Sequence, residues 1–193
     1  MRVNLKAQPS CWIINRIKAI TSKKELQILD FASGSGRHSI SLADPKRKIT
    51  AVDNDSKKLS SYNNFQNIKT MCFDLETNEK WPFDKNYYDI VIVTNYLYRP
   101  KIKNIGNLVK ENGFLFYETF AMGNEKIGKP SNPDYLLKNM ELIEVFKKNF
   151  NILYYFNGEQ FKYKKSLIQR CAMQKKTSPT GDAFKWILIK LNR

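Results

Sequence analysis

Ile28-Leu29-Asp30-Phe31-Ala32-Ser33-Gly34-Ser35-Gly36-Arg37-His38-Ser39 decides the fold. Its apolar front belongs to a run, Gln27 to Phe31, that reads as a first strand. Ala32 to Gly36 is a turn of small residues, and Arg37 to Ala43 reads as a helix closed by Asp44-Pro45. Small residues let the backbone approach a ligand, and a helix N-terminus offers it unpaired N–H groups. A strand, a glycine turn and a helix in that order therefore predict a binding loop.

Outward from this loop, strands and helices alternate. Lys48 to Val52 predicts a second strand ending on Asp53, and Ser56 to Phe65 a polar helix. Asn67 to Phe73 predicts a third strand ending on Asp74, with residues 76–87, including Trp81-Pro82, as a loop. Tyr88 to Thr94 (YDIVIVT) is the most apolar strand and should lie centrally. A helix over Ile102 to Lys110, an Asn112-Gly113 turn and a fifth strand from Phe114 to Phe120 follow. Residues 121–134 read as an ordered loop, and Tyr135 to Lys148 has apolar residues at helical spacing. Strands at Asn151 to Phe156 and Leu167 to Met173 would make an antiparallel edge hairpin, and Thr180 to Arg193 leans to helix. The expected class is α/β: a doubly wound, mostly parallel seven-stranded sheet with that hairpin at its edge.

Composition sets outer limits. The 193 residues fit one domain, 1–193, with 1–25 expected as a helical lid and 177–193 as an extension. No apolar run approaches the roughly 20 residues of a membrane helix, and the N-terminus lacks the apolar core of a secretory signal. Cys11, Cys72 and Cys171 are far apart, in no metal-ligand spacing, so a cytoplasmic setting and no metal site are expected. The formal charge of +15 raises nucleic acid as a partner. However, seven of the 33 basic residues are arginine and the lysines are dispersed, whereas arginine dominates where phosphate is gripped bidentately.

Two ligand classes fit the glycine turn. Asp53 stands where an acid receives both hydroxyls of a ribose, roughly twenty residues beyond the turn, which is also the dinucleotide spacing. Three details favour an adenosine bearing a cationic amino acid. The third glycine of the dinucleotide fingerprint is replaced by Ser39. Asp30 precedes the turn, where a carboxylate repels a pyrophosphate but accepts from an amino group. Asp74 can accept from an adenine amine, with the Leu75 N–H facing the ring. The alternative for Asp30 and Asp74 is helix capping.

The quoted stretch resembles the first motif of class I methyltransferases dependent on S-adenosylmethionine (SAM). Its Gly-x-Gly-Arg-His form is similar to the tellurite-resistance-like branch of small-molecule methyltransferases. Asp53, Asp74-Leu75 and Thr94-Asn95 fall on the second, third and fourth motifs. Tyr117-Glu118-Thr119-Phe120, Gly123-Asn124-Glu125, Pro130-Ser131-Asn132-Pro133-Asp134 and Pro9-Ser10-Cys11-Trp12 resemble a subgroup signature. The resemblance runs to about residue 176 and implies the Rossmann-like methyltransferase fold. It implies SAM as cofactor, with S-adenosylhomocysteine as product. The residues it implies for binding are Asp30, Ala32, Gly34, Gly36, His38, Asp53, Asn54, Asp74, Leu75 and Asn95. Ala32 departs from the glycine usual there, and alanine is small enough for binding to survive.

The acceptor is expected beyond the fourth strand, at Asn95-Tyr96-Leu97-Tyr98-Arg99. Tyr96 and Tyr98 are candidates to wall its pocket and Arg99 to hold an anion, or all three to serve packing and loop roles. Glu118 is a candidate base or orienting group. His38, the single histidine, reads as structural or cofactor-orienting, and Trp12 as either a lid or a packed residue. The resemblance implies a small nucleophile as acceptor: a thiol or sulfide, or a selenium or metalloid oxyanion, then a carboxylate or hydroxyl. The alternatives are a nucleic-acid methyltransferase, against which Thr94-Asn95-Tyr96-Leu97 lacks the prolines of base-flipping enzymes, and a non-catalytic SAM-binding regulator. No membrane partner is expected.

Overall fold

The computed structural model describes residues 8–20, 24–161 and 164–177. Its elements are α1 (Cys11–Ala19), β1 (Leu26–Phe31), α2 (Arg37–Leu42), β2 (Arg47–Asp53), α3 (Ser56–Ser60), β3 (Ile68–Cys72), β4 (Tyr88–Thr94), α4 (Ile102–Leu108), β5 (Val109–Phe120), α5 (Glu141–Phe146), β6 (Phe150–Phe161) and β7 (Lys165–Lys175). One seven-stranded sheet runs in the order β3-β2-β1-β4-β5-β7-β6. The first five strands are parallel, and β7 and β6 pair antiparallel at one edge. The strand order reverses between β1 and β4, where Ile28 lies opposite Ile90. Ligands of open α/β sheets bind outside the carboxyl ends of the strands at such a reversal.

Central position follows from apolar content. Ile90, Val91, Ile92 and Val93 of β4 are fully buried, because helices and loops cover both faces of the sheet there. One face packs Leu29, Val91, Leu115 and Tyr117 against α4, α5 and the loop of Trp81 and Phe83. The other packs Ile28, Ile90, Ile92 and Phe116 against α1 and Tyr62. Ile13, Ile14 and Ile17 seat α1 in this second cluster, so the helix walls the core. Trp12 packs there too, against Phe116 and Tyr154 with Arg16 over its ring. Trp12 is thus packed against the sheet. Among the described residues no helix is long and apolar enough to cross a membrane.

β6 runs to Phe161, five residues past its expected end, and three further elements depart from expectation. α3 stops at Ser60 because Ser60 and Ser61 turn their hydroxyls back onto the carbonyls of Lys57 and Lys58, at 2.9 and 2.6 Å. Asn112-Gly113 lies inside β5, where Asn112 holds φ 61 and the register with β4 slips. α5 begins only at Glu141, since Leu137 bridges to Ala121 and Met140 takes a left-handed φ of 62. Leu137, in that bridge, and Leu136 beside it are both buried, which accounts for their apolar spacing. The expected extension 177–193, with its helix over 180–193, lies outside the described residues apart from Thr177.

Candidate cofactor and acceptor site

The glycine turn alternates left-handed residues: Ala32 at φ 55, Gly34 at 56 and Gly36 at 68. A Cβ on Gly34 would meet nothing within 4 Å, whereas one on Gly36 would lie 2.6 Å from the ring of Tyr62. The turn is open above Gly34 and closed beneath Gly36. Ser33 anchors it to β2 through its N–H, which donates to the Val52 carbonyl at 2.8 Å.

Asp30, 1% exposed, divides its carboxylate between two environments. Oδ2 accepts from the N–H and hydroxyl of Ser39, at 3.1 and 2.7 Å, which is the capping role. Oδ1 is buried with no hydrogen-bond partner. Burial raises its pKa to about 6, against the opposing effects of Ser39 and the Arg37 charge. Asp53 accepts from Gly34 N–H at 2.8 Å and from Asp55 N–H at 3.1 Å. Asn54 beside it is exposed, and its carbonyl faces Cys72 Sγ at 3.6 Å.

Asp74 is exposed and accepts from Glu76 N–H at 2.9 Å. Leu75 is buried, and its carbonyl takes the Trp81 indole N–H at 2.9 Å. Asn95 is exposed at the end of β4 with φ 53, its N–H donating to the Glu118 carbonyl at 3.0 Å. Tyr96 packs edge-on to Phe31 at 5.4 Å; its hydroxyl is buried without a partner, and burial moves its pKa far up. Tyr98 is half-buried and opens the short turn Arg99–Lys101. Asp30, the glycine turn, Asp53, Asp74 and Asn95 thus occupy the carboxyl ends of β1 to β4.

Two acceptor-side candidates have other work. Arg99 makes a bidentate pair with Glu141, at 2.7 and 2.9 Å, and also donates to the carbonyls of Asp134 and Leu136. Burial opposes ionisation of Glu141, but the Arg99 guanidinium and the Lys138 N–H outweigh it and hold its carboxyl low. Arg99 is a clamp on the 121–140 segment and does not present its fork as an anion holder. Glu118, 8% exposed, accepts from Arg170 Nε at 2.6 Å and Ser10 hydroxyl at 2.9 Å, both on Oε2. Ser10 also donates its N–H to His38 Nε2 at 3.0 Å, so this nitrogen is an acceptor and the imidazole is tied to the start of α1. His38 is fully buried.

Sequence reasoning missed Tyr62, Glu141, Arg170 and Arg37. Arg37 lies inside the quoted stretch, and its guanidinium reaches Thr94 Oγ1 at 3.4 Å across the β1–β4 reversal. The others carry no signal in sequence beyond their type. Among the described residues no cluster of three or more metal-ligating side chains occurs. A groove of about 780 Å³ opens at the opposite, amino ends of β1 to β4, lined by Lys48, Thr50, Met71, Phe83 and Tyr87. None of the candidate residues borders it.

Residues 28–113 match the family described as "Methyltransferase domain". TehB from Haemophilus influenzae superposes with a TM-score of 0.68 at 20% identity, over 85% of this chain and 61% of that one. The chain therefore spans 61% of the length of that TehB. A SAM-dependent methyltransferase from Methanosarcina mazei gives 0.65 at 15% identity, over 89% and 100% of the two chains. A TehB-like SAM-dependent methyltransferase from Corynebacterium glutamicum gives 0.62 at 16%, over 86% and 88%. These likenesses establish the Rossmann-like methyltransferase fold. No curated protein matches the sequence.

Proposed function

We propose, on the match of residues 28–113 to the family described as "Methyltransferase domain", that the chain is a SAM-dependent methyltransferase acting on a small, readily ionised nucleophile. Sulfur acceptors such as a thiol or sulfide stand first, with selenium or metalloid oxyanions beside them. The observation that carries this reading is the engagement of Glu118. An amine or hydroxyl acceptor needs a positioned base, yet this carboxylate holds Arg170 and Ser10. His38 Nε2 is likewise occupied by Ser10 N–H. A thiolate or an oxyanion needs alignment and desolvation more than proton removal.

The residues at the strand ends fit SAM. The buried, unpartnered Oδ1 of Asp30 lacks a donor, which the ammonium of the amino-acid end would supply. Open space above Gly34 leaves room for a ligand. Asp53 would receive the ribose hydroxyls on its remaining lone pairs, since each oxygen already accepts one N–H. Asp74 and the Leu75 N–H would meet the adenine, and Asn95 would border the reacting end. Bound SAM supplies a methyl group already activated on a sulfonium. Tyr96 and Tyr98 wall the approach to it, excluding water.

The test is product analysis by volatile-compound detection, with SAM and sulfide, methanethiol or selenite. A methylated volatile dependent on SAM supports the substrate class. No product from any of the three, with methyl incorporation into bulk RNA at moderate salt, would replace it with a nucleic-acid acceptor.

A further inference from the structure

Tyr62 follows α3 and is 1% exposed. Its hydroxyl lies 2.8 Å from Ser33 Oγ and donates to the Gly34 carbonyl at 3.3 Å. Burial pushes the phenol up to about 12, so it stays protonated as a donor at neutral pH. Its ring fills the space beneath Gly36, where a Cβ would lie 2.6 Å from the ring carbons. Tyr62 therefore touches three parts of the glycine turn from below.

That support meets a local need. Ala32 sits at φ 55, a left-handed conformation that strains a residue with a Cβ, whereas Gly34 and Gly36 adopt theirs without strain. The shape of the turn matters beyond itself, because Gly34 N–H holds Asp53 Oδ2 at 2.8 Å. A shifted turn would carry the carboxylate of Asp53 with it.

We propose that Tyr62 is a positioning residue for the cofactor, holding Ser33-Gly34-Ser35-Gly36 in its receptive shape and offsetting the strained Ala32. The inference rests on the reading of the glycine turn and Asp53 as the cofactor site. It is tested by calorimetric titration with S-adenosylhomocysteine of wild type, Asp53→Ala, Tyr62→Phe, Ala32→Gly and the Tyr62→Phe/Ala32→Gly double variant. Thermal unfolding is measured alongside.

Tyr62→Phe keeps the ring and should weaken binding about three- to tenfold, the worth of one net hydrogen bond. In the Ala32→Gly background the same change should cost less than about twofold, because the strain it restrains is gone. A role in packing alone would move the melting temperature equally in both backgrounds and leave this coupling at zero. Wild-type affinity for Tyr62→Phe, or equal losses in both backgrounds, overturns the proposal while Asp53→Ala still abolishes binding. Unchanged affinity for Asp53→Ala overturns the site reading itself, and the proposal with it. Should Tyr62→Phe fail to fold, Ser33→Ala removes the 2.8 Å contact from the loop side, together with the bond of the Ser33 hydroxyl to the Val52 carbonyl, and its loss of affinity should likewise shrink in the Ala32→Gly background.

Discussion

Glu118 and Arg170 form an ion pair at 2.6 Å whose side chains are 11% and 20% exposed, joining the end of β5 to β7. Arg170 also donates to Gln160 on β6 and lies over the rings of Trp12 and Phe156. The pair is a junction between the edge hairpin, the start of α1 and the acceptor side of the sheet.

Removing one partner leaves the other charge buried without compensation, a loss of about 3 kcal/mol or more. Glu118→Ala is therefore expected to lower stability by that order in denaturant unfolding. Glu118→Gln should retain methyl transfer to a sulfur acceptor within about tenfold. A loss of roughly a thousandfold in rate at unchanged stability would identify Glu118 as the base.

Asp30 links cofactor affinity to pH. Its folded pKa, about 6, is raised above the unfolded value of about 3.9. The protonated acid is thus the form favoured by the fold, and stability without cofactor should fall as pH rises through that window. An ammonium placed on Oδ1 favours the ionised form, so binding should release a proton. Affinity for S-adenosylhomocysteine should rise about tenfold between about pH 5 and pH 7. Calorimetry in two buffers of different ionisation enthalpy reads both effects, and Asp30→Asn should abolish the slope.

Arg99→Lys gives up the fork that grips Glu141 and two carbonyls. The expected result is a stability loss of about 2 kcal/mol and faster proteolysis within 121–140. Cofactor affinity should stay within about twofold, since none of these contacts reaches the glycine turn. An unchanged melting temperature with a raised KM for an anionic acceptor would restore Arg99 to the acceptor pocket.

Lys175 places its ammonium against Asn86 Oδ1 and the carbonyls of Gly106 and Val109, at 2.7, 3.0 and 2.8 Å. It closes the end of α4 and pins the last turn of β7. Lys175→Met keeps the stem and removes three bonds, so unfolding should become easier by about 1–3 kcal/mol. Methyl transfer should be untouched at temperatures where the variant is folded.

The strand ends were legible because period and composition speak locally. Residues 88–94 are mostly apolar, as are the neighbours of Asp30 in β1, and Asp30, Asp53 and Asp74 each lie at or beside a strand end. The acceptor side was not, because its candidates are defined by distant partners. Arg99 looks like an anion holder until Glu141 is brought beside it, and Glu118 like a base until Arg170 is. The helix expected from Tyr135 shrinks to Glu141–Phe146 for a related reason. Leu136 and Leu137 are spaced as in a helix, but Leu137 bridges to Ala121 and both are buried outside the helix. Tyr62 lay in a stretch that read as a polar helix, and only the fold reveals that its hydroxyl reaches the glycine turn.

The reversal of strand order between β1 and β4 also sets a sequence of assembly. β1 is sandwiched between β2 and β4, so the glycine turn that leaves its end gains its second wall only when Ile90 pairs opposite Ile28. A chain emerging from the ribosome can close the β1–β2 pair early, with a short connection to span. The β4 pairing waits on a far longer loop and carries the larger entropic barrier. Once residues through Thr94 are available, every strand that bears the glycine turn and Asp53 is present. The edge hairpin, with Arg170 and its grip on Glu118, is the last part of the sheet to be synthesised.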